Sequence, residues 1–421
     1  MLLDKSVIDD LCTSETRKTW LESEDSFPDF PDIFSKDTQL QNEQYISKIS
    51  AAFQKQMKRY PGNSLKREKW KLKMDSMMEQ VLCEETIIGV HHAMDQERIR
   101  AFQDELKDVL RHVREFAPDL SMDGIGQAIR NYIVYAMFNE MHQVKPGFRM
   151  AGFGYSMLYP FTDNYIDSPA YSDAKKREYN QLIRDKIEGR AVHPDSEHQQ
   201  KTCDLLSAIE SEYPRDQDSR IFTLLLLMLE SQEDSLRQQK KGVPLSSDER
   251  LDISIKKGGL SVLIDRFLVK KEITKEDLIF YFEFGFFLQL ADDLQDIGED
   301  SRAGHQTILT VDSPHDHSTV DLCHEREKIV NKMLHFIHHI VKHYQAENDT
   351  FKNFILSNCY QLVYSSVIGS REFFSNEYLG NLEKYFPVTA PFLETMKKNQ
   401  LQKKDIDIEG KYMKIIDEMI Y

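Results

Sequence analysis

At 421 residues, with 40% hydrophobic content including 24 Phe and 18 Tyr, the chain has material for a large core and length for more than one average domain. Its formal net charge of −16 argues against a nucleic-acid surface, whose phosphates need a basic footprint. Five cysteines, at positions 12, 83, 203, 323 and 359, make no CxxC pair, so neither a disulfide framework nor a thiolate zinc site is indicated.

No positively charged start followed by an apolar stretch opens the chain, so no signal peptide is read. The longest strongly apolar run, residues 221–229, is half the length a bilayer span needs. A cytoplasmic protein with no stable membrane insertion is the expectation. Helical signals dominate throughout, and strand-like alternation is almost absent, which predicts an all-α fold. Helices are expected near residues 42–59, 67–94, 95–116, 123–143, 172–188, 201–212, 218–239, 250–269, 274–298, 322–346, 351–375 and 388–399. Breaks fall where Gly, Pro, Ser and Asp collect, at 26–34, 59–64, 145–154, 188–199, 240–249 and 311–320. Residues 1–120 are more polar than the rest and read as an N-terminal helical region of unknown role, packed on a main α-domain over 121–421.

The best-signalled helix runs from Thr274. Thr274 can cap it, Asp277 stands at the capping-box position, and Ile273 with Leu278 can staple the entry. The stretch that follows is apolar nearly all round, the mark of a buried helix. It ends in "LADDLQDIGED", residues 290–300, where Asp292, Asp293, Asp296 and Asp300 fall within about 100° of one another on a helical wheel. Gly298 is expected to end this helix and leave Asp300 on the first loop residues. Carboxylates this crowded need a counter-charge, and an all-oxygen set suits a hard divalent ion such as Mg²⁺. A second acidic patch, Asp163, Asn164 and Asp167, precedes the helix-stopping Pro169. The two patches are expected to face each other across one cavity, about 10 Å apart, the gap an ion cluster would fill.

Residues 256–305 resemble the distal half of class I isoprenoid synthases, which include terpene cyclases, trans-prenyl diphosphate synthases and squalene/phytoene synthases. "DDLQD", residues 292–296, is similar to the DDxxD motif of chain-elongating prenyltransferases. Asp292, Asp296 and Asp300 fit the metal triad of terpene cyclases, and residues 294–304 resemble the matching stretch of phytoene synthases. "DNYID", residues 163–167, stands as the first motif, with Asn164 in place of the usual second aspartate. The resemblance spans residues 125–375 and leaves 1–120 unexplained.

The resemblance implies an isoprenoid synthase helical bundle around a central cavity. It also implies Mg²⁺, roughly three ions, held by Asp163, Asn164, Asp167, Asp292, Asp293, Asp296 and Asp300. Asp163, Asp167, Asp292 and Asp296 are the catalytic set. Lys256 and Lys257 match the diphosphate-contacting lysine, and Arg302 and His305 stand where basic partners are expected. Phe153, Tyr159, Phe284 and Phe287 could stabilise a carbocation through their ring faces. The implied activity is a Mg²⁺-dependent terpene synthase ionising an allylic prenyl diphosphate, the departure at Asn164 favouring cyclisation over elongation. A prenyltransferase, elongating or head-to-head, and a non-catalytic helical partner subunit stay open, as does a homodimer. For a cyclase, Lys175, Lys176 and Arg177 should be mostly solvent-exposed, and the pocket should end in aromatic side chains. His335, His339 and His343 at helical spacing lack the acidic base of a zinc protease motif, and "HDH", residues 315–317, lacks the other phosphohydrolase ligands.

Overall fold

A computed structural model describes residues 4–168, 170–240, 242–310, 319–401, 413 and 415–420, with backbone alone at Ser64, Asp167, Thr319, Val320 and 397–401. Residues 315–317 therefore lie outside the described residues, as does Pro169. The protein is all-α, with no strand among the described residues. None of its described helices is long and apolar enough to cross a membrane.

A π-helical stretch, Val7–Thr13, runs into α1 (Ser14–Glu22). Then follow α2 (Lys36–Lys58), α3 (Ser64–Glu84), α4 (Val90–Ala93) and α5 (Gln96–Phe116). The central run is α6 (Met122–Met141), α7 (Met150–Asp167), α8 (Asp173–Ile187), α9 (Glu197–Glu212), α10 (Arg220–Ser235), α11 (Ser247–Val269), α12 (Lys275–Gln295), α13 (Ile297–Ala303) and α14 (Thr319–His343). The chain closes with α15 (Asp349–Gly369), α16 (Asn376–Leu382) and α17 (Ala390–Leu401).

Two compact units divide these helices. The first holds residues 1–28 and 123–347, the second 29–122 and 348–421. The sequence boundary at residue 120 lies next to one crossing between units. The crossings after residues 28 and 347 have no counterpart in it. In the first unit α1 inserts Trp20 edge-on against Phe286 and Phe336, at 5.4 and 5.8 Å. Arg17 reaches from α1 to Asp248 and Asp252 of α11, at 2.8 and 2.7 Å. In the second unit, Gln39 of α2 donates to the carbonyls of Glu383 and Phe386.

The α11–α12 pair forms the centre of the first unit. Gly258 and Gly285 face each other there, and a Cβ on either would overlap the other's backbone, so this approach demands glycine. The same physics corrects the break expected over 145–154. Helix α7 begins at Met150 and runs through the glycines, because a Cβ on Gly154 would stand 2.7 Å from the Leu205 carbonyl oxygen of α9. These glycines serve close helix packing; even Pro160 sits inside α7. The Thr274 and Asp277 capping box forms as the sequence predicts. The helix end differs: α12 stops at Gln295 with Asp296 as its cap. Helix resumes through Gly298 as α13, leaving Asp300 on a helix.

Candidate functional site

The break at Asp296 bends the acidic stretch around a cavity. This cavity, about 390 Å³, is lined by Asp292, Asp293, Asp296, Glu299 and Asp300 together with Lys257, His305, Gln289, Ser235, Gln238, Gln239 and Thr307. Helix α12 supplies Gln289, Asp292 and Asp293, its cap Asp296, α13 Glu299 and Asp300, α11 the lysine, and the turn after α10 the amides of Gln238 and Gln239.

Asp292 and Asp296 meet the cavity's solvent, while Asp293 is buried at 6% exposure. Burial and neighbouring negative charge push Asp293 up to about 7 and Asp296 up to about 6. Although its carboxylate meets solvent, desolvation by the protein packed around the cavity raises Asp292 as well, opposed by the positive charge of Lys257 and, more weakly, of Arg130 on α6. Gln289 donates to one oxygen of Asp293, and the other, Oδ2, is buried without a hydrogen-bond partner. His305 Nδ1 lies 2.9 Å from Asp300 Oδ1. The protein's own cations thus fall short of the negative charge here, which invites an outside cation. Among the described residues no three His, Cys, Asp or Glu side chains form a preassembled metal shell.

Asp163 is elsewhere. It lines a second cavity of about 70 Å³ among α7, α8, α9 and α10, whose other walls are chiefly Leu158, Ile166, Ile183, Ile187, Leu206, Leu225, Met228 and Leu229. Tyr155 and Tyr159 flank it, their hydroxyls 3.2 Å apart. The aromatic pocket expected from sequence is therefore largely aliphatic. Gln232 and Ser235, three residues apart on α10, line one cavity each, and the Gln232 amide approaches Asp163 Oδ1 at 3.5 Å. The two acidic patches accordingly border neighbouring cavities.

The remaining expected site residues divide sharply. Lys257 and His305 line the acidic cavity; Tyr159 lines the apolar one. Lys256 points away and pairs with Asp9 at 2.7 Å. Arg302 is exposed and lines neither cavity. Asn164 is exposed and bonds Gln127 at 3.4 Å, while the side chain of Asp167 lies outside the described residues. Phe153, Phe284 and Phe287 are core: Phe153 packs on Phe148, and Phe284 on Phe138 and Phe287. Lys175 and Arg177 are exposed and Lys176 half-buried, all outside both cavities. His335 and His343 bond backbone carbonyls.

Sequence reasoning missed Gln289 and Arg130. Gln289 could have been found, since it stands one turn before Asp293 on the same helix face. Arg130 carries no local signal, because only folding brings α6 to α12. Comparison with protein-family models, with curated proteins and with solved structures gives no match.

Proposed function

We propose that the acidic cavity is the head-group site of a Mg²⁺-dependent isoprenoid synthase of the class I type, acting as a terpene synthase. The observation that carries this reading is the concave cluster of five carboxylates on α12, α13 and the Asp296 cap between them, with Lys257 and His305 in the same cavity. Asp292, Asp293, Asp296 and Asp300 would hold the ions, and the partnerless Asp293 Oδ2 fits a group waiting for a cation. Bound Mg²⁺ supplies positive charge against which a diphosphate leaves.

The chain's own residues do the rest. Lys257 offers an ammonium to the diphosphate, and His305, held by Asp300, a ring nitrogen. One turn along α10, the aliphatic cavity excludes water and receives part of a hydrocarbon tail. At about 70 Å³ it takes a few methyl groups, so a whole prenyl chain requires flexible side chains such as Met228 to move. Burial pushes the Tyr155 and Tyr159 phenols far up, so both stay neutral and line the cavity without a nucleophilic phenolate. The exposure of Lys175 and Arg177 favours this over an elongating enzyme, which needs a second basic diphosphate site.

The test is incubation of the purified chain with Mg²⁺ and geranyl, farnesyl or geranylgeranyl diphosphate, with and without isopentenyl diphosphate. Hydrocarbon or terpene alcohol from one allylic substrate supports the reading. Longer diphosphates formed only with isopentenyl diphosphate assign a prenyltransferase. No product from any combination removes the enzymatic reading.

A further inference from the structure

The acidic excess of the chain is unevenly spread. Residues 44–74 hold nine Lys and Arg and a single acid, Glu68, a net charge of +8 in a chain of net −16. This stretch is the α2–α3 hairpin of the second unit. One side of α3 is core: Trp70 and Met74 are buried with Ile415, and the Trp70 indole donates to the Gln56 carbonyl at 2.9 Å. The other side is open. Leu65 is 85% exposed and Leu72 66%, and Lys66, Lys69 and Lys73 beside them are exposed too. At about 100° per residue these five side chains share a sector of about 120°, with Trp70 and Met74 outside it.

We propose that this face of α3 docks the protein on an anionic bilayer surface. Leu65 and Leu72 enter the boundary between headgroups and acyl chains, and the three lysines meet headgroup phosphates. The leucines decide between anionic partners. A nucleic-acid backbone would satisfy the lysines but offers no apolar medium to two leucines standing in water. The association is peripheral and reversible, since no described helix can span the bilayer. It concerns the second unit alone and does not depend on the acidic cavity being catalytic.

The experiment is co-sedimentation of the full chain with phosphatidylcholine vesicles, with and without phosphatidylserine, at low and high salt. Binding is expected only with phosphatidylserine, and it weakens as salt rises. Lys66→Ala/Lys69→Ala/Lys73→Ala should weaken it roughly a hundredfold. Leu65→Ser/Leu72→Ser should weaken it at least about tenfold. All five positions are exposed, so circular dichroism melts should match the parent. Should either variant melt early, Lys66→Gln/Lys69→Gln/Lys73→Gln replaces the first and Leu65→Gln/Leu72→Gln the second. Absence of phosphatidylserine-dependent binding, or binding indifferent to both variants, overturns the proposal. So does binding lost with the lysines, unchanged by the leucines and competed by duplex DNA, which assigns the face to nucleic-acid phosphates.

Discussion

Gln289 donates a 2.8 Å hydrogen bond to Asp293 Oδ1 from one turn earlier on α12, while Asp293 Oδ2 is buried with no partner. One bond does not repay the burial of a charge, which is why the group is raised to about 7. A carboxyl raised in the folded state favours folding where it is protonated. That stability is fully present below the unfolded value near 3.9 and is lost as pH rises through about 7. Asp293→Asn should therefore melt above the parent at pH 8 in EDTA. The difference should shrink steadily between pH 7 and pH 4. A melting difference that ignores pH would show that the carboxylate's charge is not what destabilises the metal-free protein.

Adjacent lysines on α11 have different jobs. Lys256 pairs with Asp9, both about one-third exposed, and a pair of that kind is worth roughly 0–1 kcal/mol. Lys257 faces the acids and holds Asp292 down against its burial. Lys257→Ala should lower turnover of an allylic diphosphate by at least about 10²-fold. Lys256→Ala should leave turnover within a factor of two or so and change stability by less than about 1 kcal/mol. Steady-state kinetics on the two variants decides. Equal losses would show that the cavity does not select between them.

How much of this was legible beforehand depended on whether the signal was local. The α12 capping box is written in Thr274 and Asp277 and forms as read. The acidic cluster is written in consecutive turns of one helix, and it assembles in one cavity. A helix stopping before Pro169 was legible, but the start of α7 was hidden because Gly152 and Gly154 are residues that ordinarily mark a break. Only the nearness of Leu205 explains Gly154. The relation of Asp163 to Asp292 was not legible, since it depends on where α10 passes. Nor could sequence show that Phe284 and Phe287 spend their rings on neighbouring aromatics.

The glycine contact between α11 and α12 should be intolerant of a single methyl. Gly285→Ala places a Cβ in the Gly258 carbonyl, a backbone group that cannot rotate aside. The expected loss is at least about 2–3 kcal/mol despite alanine's better helix propensity. Gly380, with open space around it, is the control: Gly380→Ala in α16 should be neutral or stabilising. Urea denaturation followed by helical ellipticity measures both. A neutral Gly285→Ala would mean the two helices can separate freely.

His142 is the buried histidine whose protonation should weaken the first unit in acid. It is 4% exposed, its Nε2 sits 2.7 Å from the Tyr281 hydroxyl, and Arg266 lies close enough to oppose its protonation. Burial first, and then Arg266, lower it from 6.5 to about 4. A histidine lowered in this way contributes stability that is fully present above 6.5 and is lost as pH falls to about 4. His142→Gln should be less stable than the parent at pH 7.5. It should also lose less stability than the parent between pH 6.5 and pH 4, the slopes differing by up to one proton. Parallel curves would remove His142 from the acid response, leaving it to Asp277, Glu347 and the other carboxylates.

Cation binding can be tested without any substrate. A ligand that binds only the folded chain raises its stability by RT ln(1 + [L]/Kd), about 2.7 kcal/mol at a hundred times Kd. Mg²⁺ should therefore raise the melting temperature of the parent at pH 8, where Asp293 and Asp296 are ionised. The shift should shrink at pH 5.5, where protons compete for the same oxygens. Asp292→Ala and Asp296→Ala should fold, since removing a crowded carboxylate relieves repulsion, and each should lose most of the Mg²⁺ shift. Asp163→Ala discriminates further, because Asp163 borders the neighbouring cavity: the shift in Mg²⁺ alone should survive its removal. If all three variants keep the full shift, the ions bind outside the acidic cavity, and the synthase reading loses the observation it stands on.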